Sequence, residues 1–341
     1  MKVTQQDIAR LAQVSQSTVS RVIAGDERVA SEVRERVQSV MRQANYHVDA
    51  RAKSFRSRST ELIGLVLHRP EEETREDPFL SMLVQGITES LAGSCYRLTI
   101  EQARTRGEQS RIYDDMLRSR RVDGVLYLEP EVGDARLARL QKDNFPIVVL
   151  GNPGPLPITS VDNDNVLAGR LATRHLIDQG HTSIGYLGGP EGILVSDERG
   201  EGYANTMREA GMPTRCWHAR FGFHSARQRA YEIFRSPNPP EALVVLDDTM
   251  AVGVMQAAEG SGLYVPRDLA VVSFNDSILC SMVPPGLSSV NLGMNDMISL
   301  AVRRLLGQLQ HPEASAAHSR TIVPCELKIR GSSSLLVEAS L

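Results

Sequence analysis

The stretch VTQQDIARLAQVSQSTVSRVI, residues 3–23, has the pattern of two short helices separated by a tight turn. Thr4 and Ser15 are favourable N-cap residues for the two helices. Apolar residues recur on one predicted face of each helix, at Ile8, Leu11, Ala12, Val19, Val22 and Ile23. Two such helices, the second with polar side chains at its start, fit the major groove of DNA. The pattern therefore predicts a helix-turn-helix domain that reads DNA.

A third helix is predicted over residues 31–45, with Ser31 as its N-cap. Its buried stripe consists of Val33, Val37, Val40, Met41 and Ala44. Residues 1–45 are thus predicted to form a small all-α domain. Residues 46–60 end in RSRST, a polar and basic composition that is typical of a linker and suits contact with a phosphate backbone.

The charge of the chain is unevenly distributed. The 341 residues are 41% hydrophobic and 23% charged, which is ordinary for a globular protein of two or three domains. Residues 1–60 contain 11 Lys and Arg against 6 Asp and Glu, whereas residues 61–341 contain 27 against 35. Residues 1–60, which we call the head, are thus basic, and the rest of the chain is acidic. This asymmetry indicates that only the head binds a polyanion.

Residues 61–341 alternate short apolar runs with helical segments. The predicted strands are 62–67, 122–128, 146–150, 183–187, 242–246 and 269–273, and the predicted helices are 79–92, 166–179, 199–210, 226–234 and 249–261. Wholly apolar strands with helical crossovers indicate parallel sheets that are covered on both faces. A stretch of this length exceeds one typical domain, so it predicts two α/β subdomains with a ligand cleft between them.

Several classes of site are disfavoured by the sequence. No HExxH, GxSxG or P-loop motif occurs, so we expect no enzyme activity and no cofactor. The four cysteines form no metal-ligand spacing, and we expect buried thiols in a reducing compartment, at Cys95, Cys216, Cys280 and Cys325. The chain has no apolar signal segment and no run long enough to span a membrane. We therefore expect a cytoplasmic protein without a metal site.

The sequence resembles the lactose/galactose-repressor family of bacterial regulators over nearly its full length. The head is similar to the family pattern VTxxDVAxxAGVSxxTVSRVL, which falls on residues 3–23. Further landmarks follow in family order: DPF at 77–79, GH at 180–181, ERGEGY at 198–203, DDTMAVG at 247–253, VSFND at 272–276, LSSV at 287–290 and LKIRGS at 327–332. Each landmark alone is weak, but the ordered set is highly specific.

The resemblance implies a fold and a function. The fold is an all-α helix-turn-helix head plus an α/β periplasmic-binding-protein-like core of two doubly wound parallel-sheet subdomains. The domains are then 1–45 for DNA binding, 46–60 for the hinge, and 61–341 for effector binding and dimerisation. The function is that of a homodimeric transcriptional regulator, usually a repressor, which binds a palindromic operator in double-stranded DNA. A small effector, often a sugar, controls that binding.

The DNA-binding residues follow from the head and from the hinge motif. Gln16, Ser17 and Arg21 match the base-reading positions of the family, and Arg and Gln can recognise guanine and adenine edges. Ser15, Thr18 and Ser20 are suited to phosphate oxygens. The remaining predicted contacts are Thr4, Ala52, Lys53 and Phe55.

The hinge departs from the family motif YxPNxxARxL, since residues 46–55 read YHVDARAKSF. Val48 replaces the proline, Asp49 replaces the asparagine, and Phe55 replaces a leucine that opens a base step in the minor groove. Phe55 is apolar and large enough for the same role, although it could instead anchor the linker on the core. Gln13 also replaces the turn glycine, and strain is expected there because Gln tolerates a left-handed backbone poorly.

The resemblance places an effector site at loops after strand C-termini, where open α/β sheets bind ligands. The implied contacts are Phe79, Asn152, Asp162, Arg199, Asp247, Asn275 and Asp276. Arg199 could instead form a helix-surface ion pair with Glu198 or Glu201. Asp247 could instead cap the helix that starts at Thr249, a role open to Asp248 as well.

The nature of the effector rests on three segments, 161–165, 274–277 and 322–327, which look most like the maltose-operon branch of the family. They favour maltose or a related α-glucoside. Two other functions share parts of this sequence pattern: a sugar-binding transport protein and an α/β enzyme. The first is disfavoured by the DNA-reading head, and the second by the absence of a phosphate loop or a paired nucleophile and base.

Overall fold

The computed structural model describes residues 3–23, 26, 28–44, 46, 59–68, 78–311 and 318–334. Contacts divide the chain into two compact units, residues 1–60 and residues 61–341. The predicted hinge contacts Ala52, Lys53 and Phe55 lie outside the described residues, as do Val48 and Asp49.

The described residues of the first unit form three helices, as the sequence predicts for residues 1–45. Its helices are α1 (Gln5–Leu11), α2 (Gln16–Ile23) and α3 (Ser31–Gln43). They enclose a small apolar core made of Ile8, Ala9, Ala12, Val19, Val22 and Val37. Ser31 is the first residue of α3, and the cap position belongs to Ala30, which makes no side-chain cap hydrogen bond. The prediction of a Ser31 cap is therefore wrong, because the helix begins one residue too early for it.

The second unit alternates strands and helices. The strands of its described part are β1 (Leu62–His68), β2 (Arg97–Ala103), β3 (Gly124–Leu128), β4 (Ile147–Leu150), β5 (Ser160–Asn163), β6 (Ile184–Gly188), β7 (Cys216–His218), β8 (Ala242–Val245), β9 (Ala270–Phe274), β10 (Ser288–Asn291), β11 (Arg320–Val323) and β12 (Glu326–Lys328). The helices are α4 (Pro78–Ser90), α5 (Arg106–Arg118), α6 (Ala135–Lys142), α7 (Asn165–Asp178), α8 (Leu194–Glu209), α9 (Phe223–Phe234), α10 (Asp248–Gly260), α11 (Leu279–Met282) and α12 (Met294–Gln310).

These strands form two sheets, each the centre of a subdomain. The first sheet has the order β11-β5-β4-β3-β1-β2 with parallel pairings, and the second has the order β12-β10-β9-β8-β6-β7. Strands such as β3 and β9 are buried along their whole length because helices cover both sheet faces. The first sheet has α4 and α12 on one face and α5 and α6 on the other. The second has α9 and α10 on one face and α7 and α8 on the other, which confirms two doubly wound subdomains.

One pairing departs from the expected parallel arrangement. The edge strand β12 runs antiparallel to β10, so the second sheet is mixed. An antiparallel edge strand on an otherwise parallel sheet is common in α/β folds. Helix α8 also begins at Leu194, five residues before the predicted start at Arg199, and this difference places Arg199 in the middle of a helix.

The chain passes between the two subdomains at three places within the described residues. The first crossover (residues 163–165) follows β5, the second (residues 291–294) follows β10, and the third (residues 323–326) follows β11. These crossovers bring the C-terminal ends of strands from both sheets to one region of the second unit.

The cysteines only partly match their predicted burial. All four are free, but Cys95 and Cys216 are exposed, whereas Cys280 is buried and Cys325 is half-buried. The prediction was wrong for the first two, because Cys95 lies in a surface turn and Cys216 starts the edge strand β7. Among the described residues, no cluster of three or more His, Cys, Asp or Glu could hold a metal ion, and no helix is long and apolar enough to cross a bilayer.

Candidate functional site

The first helix of the head is fixed by its cap. The Thr4 hydroxyl accepts a hydrogen bond from the Asp7 amide at 3.3 Å, and the Asp7 carboxylate accepts one from the Thr4 amide at 3.0 Å. The Thr4 hydroxyl also donates to the Asp7 carboxylate at 2.7 Å. This bond and the one from the Thr4 amide, with help from Arg10, hold the pKa of Asp7 below its usual value. The Thr4 cap predicted from the sequence is confirmed as a reciprocal capping box.

The buried face of α1 differs from the predicted one. Ile8, Ala9 and Ala12 are buried, whereas Leu11 is 61% exposed. At 100° per residue, Leu11 lies well to one side of the face formed by the other three, so the prediction of an inward Leu11 was wrong.

The turn between α1 and α2 carries the expected strain. Gln13 adopts a φ of 52°, in the left-handed region that glycine occupies without penalty. The turn is closed by a hydrogen bond from the Val14 amide to the Ala9 carbonyl at 3.0 Å.

Helix α2 presents polar side chains at its start. The Ser15 hydroxyl caps the helix by accepting from the Thr18 amide at 3.1 Å, which confirms that cap. Val19 and Val22 are buried, so the helix is anchored on the core of the head. Ser15, Gln16, Ser17 and Arg21 are exposed, while Thr18 and Ser20 are half-buried. A rigid helix with Gln, Ser and Arg exposed on one side has the geometry needed to reach base edges.

A second candidate site lies in the second unit, in a cavity of about 100 Å³ between the two sheets. Six of the seven predicted effector residues line it: Phe79, Asn152, Asp162, Arg199, Asp247 and Asn275. They come from α4, from α8, from β5 and from loops after strands of both sheets. The cavity therefore lies at the carboxyl ends of the strands, where ligands bind in open α/β folds.

Arg199 is buried in this cavity, with 6% of its surface exposed. Its Nε donates to Asn165 Oδ1 at 3.1 Å, its Nη1 donates to the Leu246 carbonyl at 2.8 Å, and the guanidinium lies 4.6 Å from the Phe274 ring centre. Burial lowers the pKa of Arg199. The alternative of a helix-surface ion pair is wrong, because Arg199 is buried and donates to Asn165 and to the Leu246 carbonyl.

Asp247 has both of the placements considered for it, in the cavity lining and at the N-cap of α10. Its carboxylate accepts from the Met250 amide at 2.7 Å and so caps α10, and the same residue lines the cavity. Asp248 does not share the cap. It is buried, and its carboxylate accepts from the hydroxyls of Ser273 at 2.5 Å and Ser289 at 2.8 Å.

Two further carboxylates belong to the network around the cavity. Asp162 accepts from Arg320 Nη2 at 2.7 Å, and Glu198 accepts from Asn152 Nδ2 at 2.5 Å. Burial raises the pKa of both groups. Glu198 is thus a partner of a cavity residue, a role that sequence reasoning missed.

Asp276 lies outside the cavity lining, in contrast to the prediction. Its carboxylate accepts from Arg330 Nη2 at 2.7 Å and from Asn291 Nδ2 at 3.0 Å. Asn275, its neighbour, has a φ of 101° and does line the cavity. The ion pair of Asp276 therefore holds the strained loop that presents Asn275.

Several lining residues were not predicted from the sequence. Glu129 directly follows β3 and has a φ of 51°. The rule that ligand-binding residues follow the C-terminal ends of strands, which predicts Asn152 after β4, applies to Glu129 as well. Phe221, which belongs to the second subdomain, also lines the cavity. Further unpredicted lining residues from crossovers and helices include Asn163, Asn165, Met294 and Met297.

Two family models match the chain. The model described as "Bacterial regulatory proteins, lacI family" matches residues 4–49, and the model described as "Periplasmic binding protein-like domain" matches residues 173–333. They cover the head and the larger part of the second unit.

Similar proteins are found over almost the whole chain. The ribose operon repressor of Haemophilus influenzae is 32% identical over 320 residues, which cover 91% of this chain and 92% of that protein. A solved complex of the transcriptional regulator CelR with cellobiose is 27% identical, with a TM-score of 0.73 over 97% of this chain and 99% of that one. The lac repressor dimer bound to operator and the anti-inducer ONPF is 24% identical, with a TM-score of 0.84 over 98% and 99%, and shares the fold.

Proposed function

Since the chain belongs to the lacI family of bacterial regulatory proteins, we propose that it represses transcription in the cytoplasm by binding an operator in double-stranded DNA. The observation that carries the proposal is the exposed polar start of α2, with Gln16, Ser17 and Arg21 on a helix anchored by Val19 and Val22. Such a helix can read base edges in the major groove.

Selection of bound duplexes from a random DNA pool tests this proposal. A DNA-reading head should enrich one sequence, and log affinity for that sequence should fall linearly with log salt concentration as counterions are released. A pool that stays random after repeated rounds would contradict the proposal.

We further propose that the protein acts as a homodimer on a palindromic operator. A two-fold dimer presents two recognition helices to two half-sites about one helical turn apart. The selected sequence should therefore be an inverted repeat, and sedimentation of the complex should give two chains per duplex. A single asymmetric half-site bound by one chain would refute the dimer.

The cavity of the second unit supports a small polyhydroxyl effector. Carboxylate, amide and guanidinium groups around it can bind hydroxyl groups, and Phe79 and Phe221 offer aromatic faces to a sugar ring. Among the residues described around the cavity, the charged ones are Glu129, Asp162, Arg199 and Asp247. Three carboxylates beside one guanidinium favour a neutral sugar over a phosphorylated one.

Maltose or a related α-glucoside is the proposed effector, on the likeness of residues 161–165, 274–277 and 322–327 to the maltose-operon branch. Calorimetric titration with maltose, maltotriose, cellobiose and ribose tests this identity. Heat of binding with maltose or maltotriose is expected. If neither maltose nor maltotriose gives heat of binding but another sugar does, the effector is not an α-glucoside. The proposal of a sugar-controlled regulator would then still stand.

A further inference from the structure

One side chain connects all three crossovers of the second unit. Asn163 lies at the end of β5, in the first crossover, and is 2% exposed. Its Nδ2 donates to the carbonyl of Leu292 in the second crossover at 2.7 Å, and to the carbonyl of Val323 in the third at 3.0 Å. Both hydrogen atoms of one amide group are thus directed at backbone oxygens of the two other connections.

The segments around Asn163 are closely packed. Gly293 in the second crossover has a φ of 61°, and a Cβ there would lie 2.9 Å from the Val323 side chain. Arg320, at the start of β11, donates to Asp162, the residue before Asn163. The crossovers are therefore closely packed, and Asn163 holds them with directional bonds.

We propose that Asn163 is a clasp that joins the three crossovers and fixes the angle between the two subdomains. Any rotation of one subdomain against the other has to move the crossovers relative to each other. Such a movement changes the distance from the Asn163 amide to the Leu292 carbonyl, which follows β10 of the second sheet, whereas Val323 pairs with Asn163 within the first sheet. Because hydrogen bonds weaken steeply with distance and misalignment, the clasp favours one arrangement over intermediate ones.

The clasp also touches the candidate effector cavity, since Asn163 is among its lining residues. A ligand in the cavity would meet the residue that sets the subdomain angle. This coupling rests on the proposed function and would make Asn163 a positioning residue for the response to effector. The clasp itself requires neither DNA nor sugar.

Hydrogen exchange of the full-length protein, followed by mass spectrometry, tests the clasp directly. Asn163→Asp keeps the shape of the side chain but places carboxylate oxygen against two carbonyl oxygens. Asn163→Ala removes both donors without adding charge. Asn238→Asp makes the same chemical change in an exposed loop and is the matched control.

In both Asn163 variants, peptides that cover 291–294 and 320–328 should exchange at least tenfold faster, with the larger effect in Asn163→Asp. Peptides from α10 and from the control protein should keep their wild-type rates. Unchanged exchange at the crossovers in a folded variant would overturn the clasp, as would acceleration spread evenly over the second unit. If Asn163→Asp fails to fold, Asn163→Ala decides between these results. The exchange measurement requires neither sugar nor DNA. A negative result would therefore reject the clasp without bearing on the proposed function.

Discussion

Arg21 and Arg199 show how the same residue type serves two purposes in one chain. Arg21 is exposed on α2 and carries its charge into solvent, where a guanidinium can donate twice to one guanine edge. Arg199 is buried and donates to Asn165 and to the Leu246 carbonyl beside a cavity. Their environments therefore fit the roles we propose for them, recognition of DNA for Arg21 and binding of a small ligand for Arg199.

Replacement of Arg21 by Ala should reduce the preference for the selected operator over random DNA. Loss of a bidentate contact to guanine costs about 1–3 kcal/mol of discrimination. Binding of wild-type and variant protein to both duplexes, by fluorescence anisotropy, measures the ratio. Arg42→Ala, at an exposed position of α3, should leave this ratio unchanged and serves as the control. An unchanged ratio in Arg21→Ala would exclude this arginine from base reading.

Replacement of Arg199 by Lys should leave operator binding intact and abolish the response to the effector. Lysine keeps the charge but loses the planar fork that reaches two acceptors at once. The measurement is release of labelled operator during titration with the sugar that binds the wild-type protein. Arg208→Lys, exposed on the same helix, should respond like the wild type. A full response in folded Arg199→Lys would remove Arg199 from the effector site.

Gln13 should be less favourable than glycine at its position. A φ of 52° costs a side-chain-bearing residue roughly 1 kcal/mol, a penalty that glycine does not incur. Gln13→Gly should therefore raise the free energy of unfolding of the head by roughly 0.5–1 kcal/mol, measured by chemical denaturation. Gln6→Gly, inside α1 and exposed, should lower it by a similar amount. Destabilisation by both substitutions would show that the turn carries no strain.

At the scale of elements, helix α7 makes stability depend on pH through His175. Burial lowers the pKa of His175, whose Nε2 lies 2.8 Å from the Ser333 hydroxyl, with Asp178 and His181 as the charged or titratable neighbours. The unfolded chain then binds a proton more readily than the folded chain below pH 6.5. The stability contributed by neutral His175 is present above that pH and is lost as pH falls.

The contribution of neutral His175 to the free energy of unfolding should therefore decrease between about pH 7 and about pH 5.5, and His175→Gln should remove that contribution from the pH dependence. Denaturant unfolding at several pH values measures the slope. His224→Gln, in α9, is the matched control and should keep the wild-type slope. The same slope in His175→Gln as in the wild type would show that His175 does not carry the dependence.

Elements with a strong apolar signal were predicted well from the sequence. Strands such as β1, β3 and β8 are continuous apolar runs buried on both faces, and the predicted and observed spans agree within two residues. Strand β5 was not placed, because Ser160–Asn163 is polar although it is buried. The polar side chains of Asp162 and Asn163 bond to partners far along the chain, Arg320 and the Leu292 carbonyl, which local periodicity does not reveal.

The residues of the candidate cavity were likewise predicted only in part. Side chains that directly follow apolar strands, such as Asn152 and Asp247, could be placed because strand ends mark ligand sites in this architecture. Asn163 and Asn165 were missed, since they reach the cavity through crossovers whose meeting point depends on the whole topology. Asp276 was misplaced because its partner Arg330 lies 54 residues away.

At the scale of the whole molecule, a DNA-reading unit and a ligand-binding unit belong to one chain. Control of one by the other requires the effector to bind two arrangements of the second unit with different affinity. A coupling of about 1–3 kcal/mol would change operator affinity roughly 5- to 150-fold. The clasp at Asn163 would set which of the two arrangements the second unit occupies without effector.

The most direct test of this coupling is the operator dissociation constant of the full-length protein, measured with and without a sugar shown by calorimetry to bind. We expect the sugar to change that constant by about fivefold or more at fixed salt, and Arg199→Lys to remove the change. A sugar that saturates the cavity while the operator dissociation constant stays the same would contradict control of DNA binding by the cavity.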